Sequence, residues 1–321
     1  MNKENSIIIA GANGFLGTVL SKHLHSRGYT VYGLERKQTS SKHYRTILWD
    51  GHRLGPWTKA LEGSQALINL AGRSVNCRYG TKNRTTILKS RVESTQILGE
   101  AISQCENPPR VWLNASTATI YRHAEDRPQD EHSGEIGHGF SVDVAKAWED
   151  AFFQCNSRHS VRKVALRTSL VLGRQAGTVL HYFTSLARLG LGGSLGPGTQ
   201  RVSWIHELDF AAAVQFLLTQ EECYGAFNLA APDVPTNAIF MKRIRESVGQ
   251  DWGLSSTKSM LNIGAWLLRT ETELLLKSRW VQSARLEQAG FSFRWPSLQT
   301  ALESLIHPVE PRVRSAMGCL P

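Results

Sequence analysis

The chain has 321 residues, room for roughly two domains, and its 41% hydrophobic against 20% charged residues exclude a disordered or low-complexity polypeptide. Lys plus Arg number 37 against 27 Asp plus Glu, a formal charge of +10. The cations are scattered among apolar residues at helix-like spacing (Lys82, Arg84, Lys89, Arg91, then Lys242, Arg243, Arg245) with no run of five or six, so no nucleic-acid partner is expected.

In chain order, Ser6–Ala10 is a continuous apolar run ended by Gly11, and Phe15–Ser26 places Leu16, Val19, Leu20, His23 and Leu24 on one helical face closed by Gly28. Residues 30–34 are β-branched and apolar again, which completes a strand–helix–strand unit of the kind that builds parallel sheets. Further strands are predicted at 46–49, 66–70, 111–115 and 163–172, with helices over 85–104 and 142–156. None of the strands alternates strictly, as expected where helices cover both faces of a parallel sheet. Residues 189–198 hold five glycines and a proline and read as a loop over the surface. A short strand at 202–205, a helix at 208–218 and a strand at 226–229 follow, then mostly helical patterns ending with 298–306 and a polar tail.

The five cysteines (Cys77, Cys105, Cys155, Cys223, Cys319) are widely separated, so neither a disulfide framework nor a metal site is expected. The amino-terminal apolar run is too short for a signal peptide, and the stretch 263–268 falls far below the ~20 apolar residues of a membrane span. A cytoplasmic protein with no membrane partner is the expectation.

The chemistry begins at Gly11-Ala12-Asn13-Gly14-Phe15-Leu16-Gly17, three glycines spaced by three where the first strand meets the first helix. Glycine there permits a tight turn, close approach of a pyrophosphate and close helix–strand packing, with the anion resting on the helix amino terminus. About twenty residues on stands Glu35-Arg36-Lys37, where such folds read the adenosine ribose. Glu35 would accept from ribose hydroxyls, whereas Arg36 and Lys37 place two cations where a 2′-phosphate would sit, which favours NADP(H) over NAD(H).

With Trp49-Asp50, Asn69-Leu70-Ala71-Gly72, Ser116-Thr117-Ala118-Thr119-Ile120-Tyr121, Trp148-Glu149, Leu189-Gly190-Leu191-Gly192-Gly193 and Trp204-Ile205-His206, these motifs resemble the short-chain dehydrogenase/reductase superfamily. More narrowly, the chain resembles the extended branch's "epimerase family protein" group. The resemblance implies an α/β Rossmann-type doubly wound parallel sheet with a small, mostly helical C-terminal substrate domain. The Rossmann part would be 1–172, with 206–231 returning to it; the substrate side would be 173–205 and 232–306, and 307–321 a tail. It also implies that Asn13, Phe15 and Leu16 contact the diphosphate through their backbone, Asp50 reaches the adenine, and Ala71 and Gly72 line the riboses. Thr117, or its neighbour Ser116, matches the hydroxyl that hydrogen-bonds a substrate carbonyl; either could instead cap a strand end.

The superfamily's general acid, a Tyr four residues before a Lys, has no counterpart, because aligning Trp148-Glu149 puts those positions at Ser141 and Ala145. Tyr121 is either a substitute acid or a structural phenol, and His206 either a proton donor or a satisfied core residue. Arg91 and Arg167 either face a substrate anion or are held in structural pairs. Two functions compete: an NADP(H)-dependent oxidoreductase or epimerase of a small, anionic substrate, and a non-catalytic NADP(H)-binding sensor or scaffold.

Overall fold

A computed structural model describes residues 5–155, 160–256 and 276–307. The apolar segments of the amino-terminal half become β1 (Ser6–Ala10), β2 (Thr30–Glu35), β3 (Arg45–Leu48), β4 (Ala66–Asn69), β5 (Val111–Thr117) and β6 (Arg162–Thr168). After β7 (Leu170–Leu172) and β8 (Trp204–His206) the chain returns to the sheet as β9 (Gly225–Leu229). The seven-stranded sheet has the order β3-β2-β1-β4-β5-β6-β9, parallel throughout. Strand order reverses between β1 and β4, and the crevice beyond their carboxyl ends is where such sheets bind ligands.

Helices α1 (Phe15–Ser26) and α5 (Glu207–Thr219) cover one face, and α2 (Thr81–Ser103) and α3 (Phe140–Phe153) the other. Ile7 and Ile9 pack with Leu20, Leu24, Val214 and Leu217, while Ile8 and Ala10 pack with Ile97, Leu98, Trp112 and Phe152. Each strand therefore needs apolar side chains in both directions, which is why none alternates. A separate core, with Leu180, Phe183, Trp204, Phe240 and Leu302, joins α4 (Val179–Arg188), α6 (Asn237–Ser247) and α8 (Leu298–Ile306).

Three differences from the sequence reading have clear causes. The single strand expected over 163–172 divides at Ser169, whose N–H and hydroxyl both donate to the Leu229 carbonyl; β7 then leaves the sheet and pairs with β8. β5 runs two residues further than expected and carries Ser116 and Thr117 to the sheet edge. The glycine-rich segment 189–198 is stitched down at several points rather than running freely over the surface. Leu195 is buried and donates its N–H to Asn237 Oδ1, and Gly193 donates to the Leu254 carbonyl. A Cβ at Gly193 would stand 2.3 Å from the Ser255 nitrogen, so glycine serves close backbone contact there.

A strap formed by residues 278–283 crosses from the C-terminal part onto the Rossmann part. Gln129 donates its N–H to the Trp280 carbonyl, and Gln282 donates back to Gln129. Ser203 Oγ bonds the Arg279 carbonyl and the Val281 N–H, and Ser283 Oγ accepts from Ala230 N–H and donates to its carbonyl. The short helix α7 (Ala284–Gln288) follows, packed on β9. The apolar stretch 263–268 and the tail beyond residue 307 lie outside the described residues. Among the described residues no helix is long and apolar enough to cross a membrane, and no group of three or more His, Cys, Asp or Glu is arranged to hold a metal ion.

Candidate functional site

At the carboxyl edge of β1 the chain turns at Gly11, whose φ of +82° suits glycine, and where a Cβ would press to 3.1 Å on the Leu70 backbone. Gly14 is the N-cap of α1 and has no side chain to satisfy the first amides; the first turn contains no acidic residue. The N–H groups of Phe15, Leu16 and Gly17 thus lack intrahelical acceptors and face the crevice end of the helix, an anion cradle of main-chain donors. Gly17 is buried against the turn, where a Cβ would lie 2.2 Å from the Gly11 oxygen. These residues fit a diphosphate.

Around this cradle the predicted contacts are distributed differently than the sequence implies. Glu35 is 3% exposed, and its Oε1 accepts the Asn13 N–H at 2.6 Å. The Asn13 amide is thus paired with Glu35, and Glu35 Oε1 is turned toward the turn's main chain, where the sequence reading expects both residues on the coenzyme. Burial pushes its carboxyl pKa up, and the Asn13 amide pulls it back. Arg36 and Lys37 remain exposed beyond the strand end. Asp50 is exposed, with Oδ1 capping a turn through the N–H groups of His52 and Arg53, which holds its pKa below the usual range.

Asn69 is buried. It donates to Asn114 Oδ1 and Thr95 Oγ1 and accepts the Ala71 N–H, so its side chain shapes the 69–72 loop from within. Leu70 packs against the core, and Gly72 lies over the Arg91 guanidinium, where a Cβ would meet it at 3.3 Å. Arg91 Nη1 donates to the carbonyls of Arg73 and Ile87, and the guanidinium sits 5.1 Å above the Trp148 ring. Arg91 therefore braces the loop that carries Ala71 and Gly72.

Register places Ser116, Arg167 and Asn228 side by side on adjacent strands β5, β6 and β9. Ser116 Oγ donates to Glu149 Oε1 at 2.6 Å, and Glu149 receives Arg167 Nε and Nη2 in a two-pronged pair at 2.8 Å each. Arg167 Nη1 donates to the Tyr121 hydroxyl, which donates in turn to Asn228 Oδ1, both at 3.0 Å. Tyr121 is fully buried, and burial raises its pKa beyond what Arg167 returns. The substitute-acid reading of Tyr121 is thus corrected: its proton is committed and its ring is sealed from any substrate. Thr117 is half-buried at the strand end, and its Oγ1 accepts the Thr119 N–H.

The sequence model described as "NAD dependent epimerase/dehydratase family" matches residues 7–230. The chain belongs to that family. A second model, a domain of unknown function (DUF1731), matches residues 258–305. Epimerase family protein SDR39U1 of Bos taurus is 30% identical, and that of Homo sapiens 29%; each match covers 94% of this chain and 99% of the relative. The solved structure of the human SDR39U1 protein with NADPH aligns with a TM-score of 0.84 at 28% identity, over 95% of this chain and all of that one. A nucleoside-diphosphate sugar epimerase from Corynebacterium glutamicum aligns at 0.75 with 25% identity, over 95% of this chain and 59% of its own.

At the positions that alignment on Trp148-Glu149 gives to the Tyr-x-x-x-Lys pair, the chain has Ser141 and Ala145. Ala145 is buried in a cluster with Ala118 and Tyr121, and Lys146 is exposed. His206 is not the replacement, which corrects its reading as a proton donor. It is 2% exposed, stacks on Trp295 at 3.7 Å, accepts the Leu208 N–H on Nδ1 and pairs through Nε2 with Ser304. Those partners assign the neutral Nε2–H tautomer, and burial, with Arg174 and Arg294 nearby, lowers its pKa to about 3. The unfolded chain therefore binds a proton at His206 that the folded chain refuses, and stability falls as pH drops from about 6.5 toward 3. Urea midpoints between pH 7 and 4 should decline less steeply in His206→Asn, which keeps a capping acceptor without the titrating ring; equal slopes would refute this. Sequence reasoning missed Glu149 as the partner of both Ser116 and Arg167. The only signal was its place after Trp148, used there for alignment alone.

Proposed function

We propose that the chain is an NADP(H)-dependent oxidoreductase or epimerase acting on a small substrate held at the carboxyl edge of the sheet. The observation that carries the coenzyme choice is the end of β2, where the carboxylate is turned in and two exposed cations, Arg36 and Lys37, remain. NADPH in the human relative's structure supports the same choice. A nicotinamide coenzyme supplies the hydride chemistry, while the chain orients it and shields the reacting atoms. Thr117 is the sequence-predicted hydroxyl left to hydrogen-bond a substrate oxygen, since Ser116 and Tyr121 are committed inside the sheet edge. The scattered positive charge favours an anionic substrate.

Isothermal titration with NADPH and NADH tests the reading. Arg36→Ala should weaken NADPH by about 1.5–3 kcal/mol, the worth of a charged hydrogen bond, and leave NADH nearly unchanged. Equal loss for both coenzymes would remove the 2′-phosphate assignment. Thr117→Val should lower turnover of carbonyl or sugar-nucleotide substrates by roughly 10²–10³ with coenzyme affinity intact.

The competing reading, an NADP(H) sensor or scaffold without catalysis, is favoured by one observation, the burial of Ala145 where the family's lysine stands. Tight NADPH binding with no turnover across such a screen would establish it.

A further inference from the structure

Glu35 occupies the position where a dinucleotide-binding fold places an acid on the adenosine ribose, yet the surrounding residues hold it elsewhere. Its Oε1 accepts the Asn13 N–H at 2.6 Å. Its main-chain carbonyl accepts from Trp49, which fixes the end of β2 against the end of β3. The neighbouring Gly33 has no room for a Cβ: Tyr44 ring carbons would stand at 2.6 Å and the Ala12 methyl at 2.8 Å. Ala12 and Tyr44 thus pack closely on the strand two residues before Glu35, which is itself buried.

The Asn13 amide is consumed by a protein carboxylate, while those of Phe15, Leu16 and Gly17 are left for a ligand. Without Glu35 that donor would have no acceptor inside a closely packed turn, which is costly. With it, the turn is braced before any ligand arrives, so less ordering is needed on binding.

We propose that Glu35 is a latch for the phosphate-binding turn: it presets the loop for either coenzyme and, being turned in, takes no part in reading the ribose. The inference rests on the coenzyme reading above. A latch acts on what NADPH and NADH share, whereas a ribose contact acts on what separates them. The ratio of the two affinities therefore tells one role from the other.

The test is calorimetric titration of the full chain, Glu35→Gln and Glu35→Ala with NADPH and with NADH. Glu35→Gln keeps an acceptor for the Asn13 N–H, and both affinities should stay within about threefold of the parent chain. Glu35→Ala removes the acceptor, and both should weaken together by about tenfold or more, the cost of at least one charged hydrogen bond. The NADPH-to-NADH ratio should be unchanged in each variant. A ratio that rises tenfold in either variant, through weaker NADH or tighter NADPH, would place the carboxylate on the ribose and overturn the latch. Should Glu35→Ala not fold, the ratio in Glu35→Gln decides by itself. If the parent chain binds neither coenzyme, the proposed function fails and the latch with it; a shifted ratio with parent binding intact overturns the latch alone.

Discussion

Arg167→Ala is expected to cost about 3–5 kcal/mol of folding stability, because it strands a buried carboxylate without its counter-ion. The pair is well enclosed: the side chains of Arg167 and Glu149 are 14% and 11% exposed, and both carboxylate oxygens are engaged by the guanidinium. Loss of Arg167 also takes a donor from the buried Tyr121 hydroxyl. Glu149→Ala should be comparably harmful, since it leaves the guanidinium and the Ser116 hydroxyl unpaired. Removing both charges together should be less harmful than the two single losses added, with a coupling of about 0.5–3 kcal/mol. Urea denaturation of the parent, both single variants and the double variant closes this cycle, provided the slope of the transition is unchanged. Strict additivity would show that the rung across β5, β6 and β9 is a set of independent contacts.

Gly17→Ala should be the most damaging change in the coenzyme cradle. The added methyl would meet the Gly11 oxygen at 2.2 Å and Ala12 backbone carbons at 2.6 and 2.7 Å, all main-chain atoms that no rotamer change can move. Helix α1 must shift outward, at about 1–3 kcal/mol or more for an overpacked site, and the cradle moves with it. Both the urea midpoint and NADPH affinity should fall. Gly14→Ala is the informative control. Its φ of −71° is open to any residue and its nearest contact is 3.4 Å, so the fold should hold. The new methyl would instead occupy the space kept for the diphosphate, and affinity alone should drop. If Gly17→Ala matched the parent in both measurements, the close packing of helix on turn would be wrong.

The sheet was readable in the sequence because its determinants are local and repeated. Ser6–Ala10 and Ala66–Asn69 are apolar throughout, and the glycines at 11, 14 and 17 mark a strand-to-helix turn whatever surrounds them. Arg36 and Lys37 were equally plain, since charges at a strand end stay in water. The direction of Glu35 was not, because it depends on whether a long side chain meets a ligand or the protein's own amides, and spacing is identical in both cases. The same holds for Tyr121 and His206. A phenol beside Arg167 and an imidazole stacked on Trp295 become structural through residues 46 and 89 positions away, contacts that no local pattern encodes. Ser169 breaking a strand in two was hidden likewise, for its acceptor, Leu229, lies 60 residues on.

The strap at 278–283 bears on how the molecule is made. Ser203 Oγ and the Ala230 main chain, both in the first-synthesised part, are hydrogen-bonded by residues 279, 281 and 283. A ribosome that has extruded the entire seven-stranded sheet has therefore still not delivered the piece that seals its far edge. Shortened chains ending near residue 232 should be recovered as aggregates, and the amino-terminal portion is not a module that can be transplanted by itself.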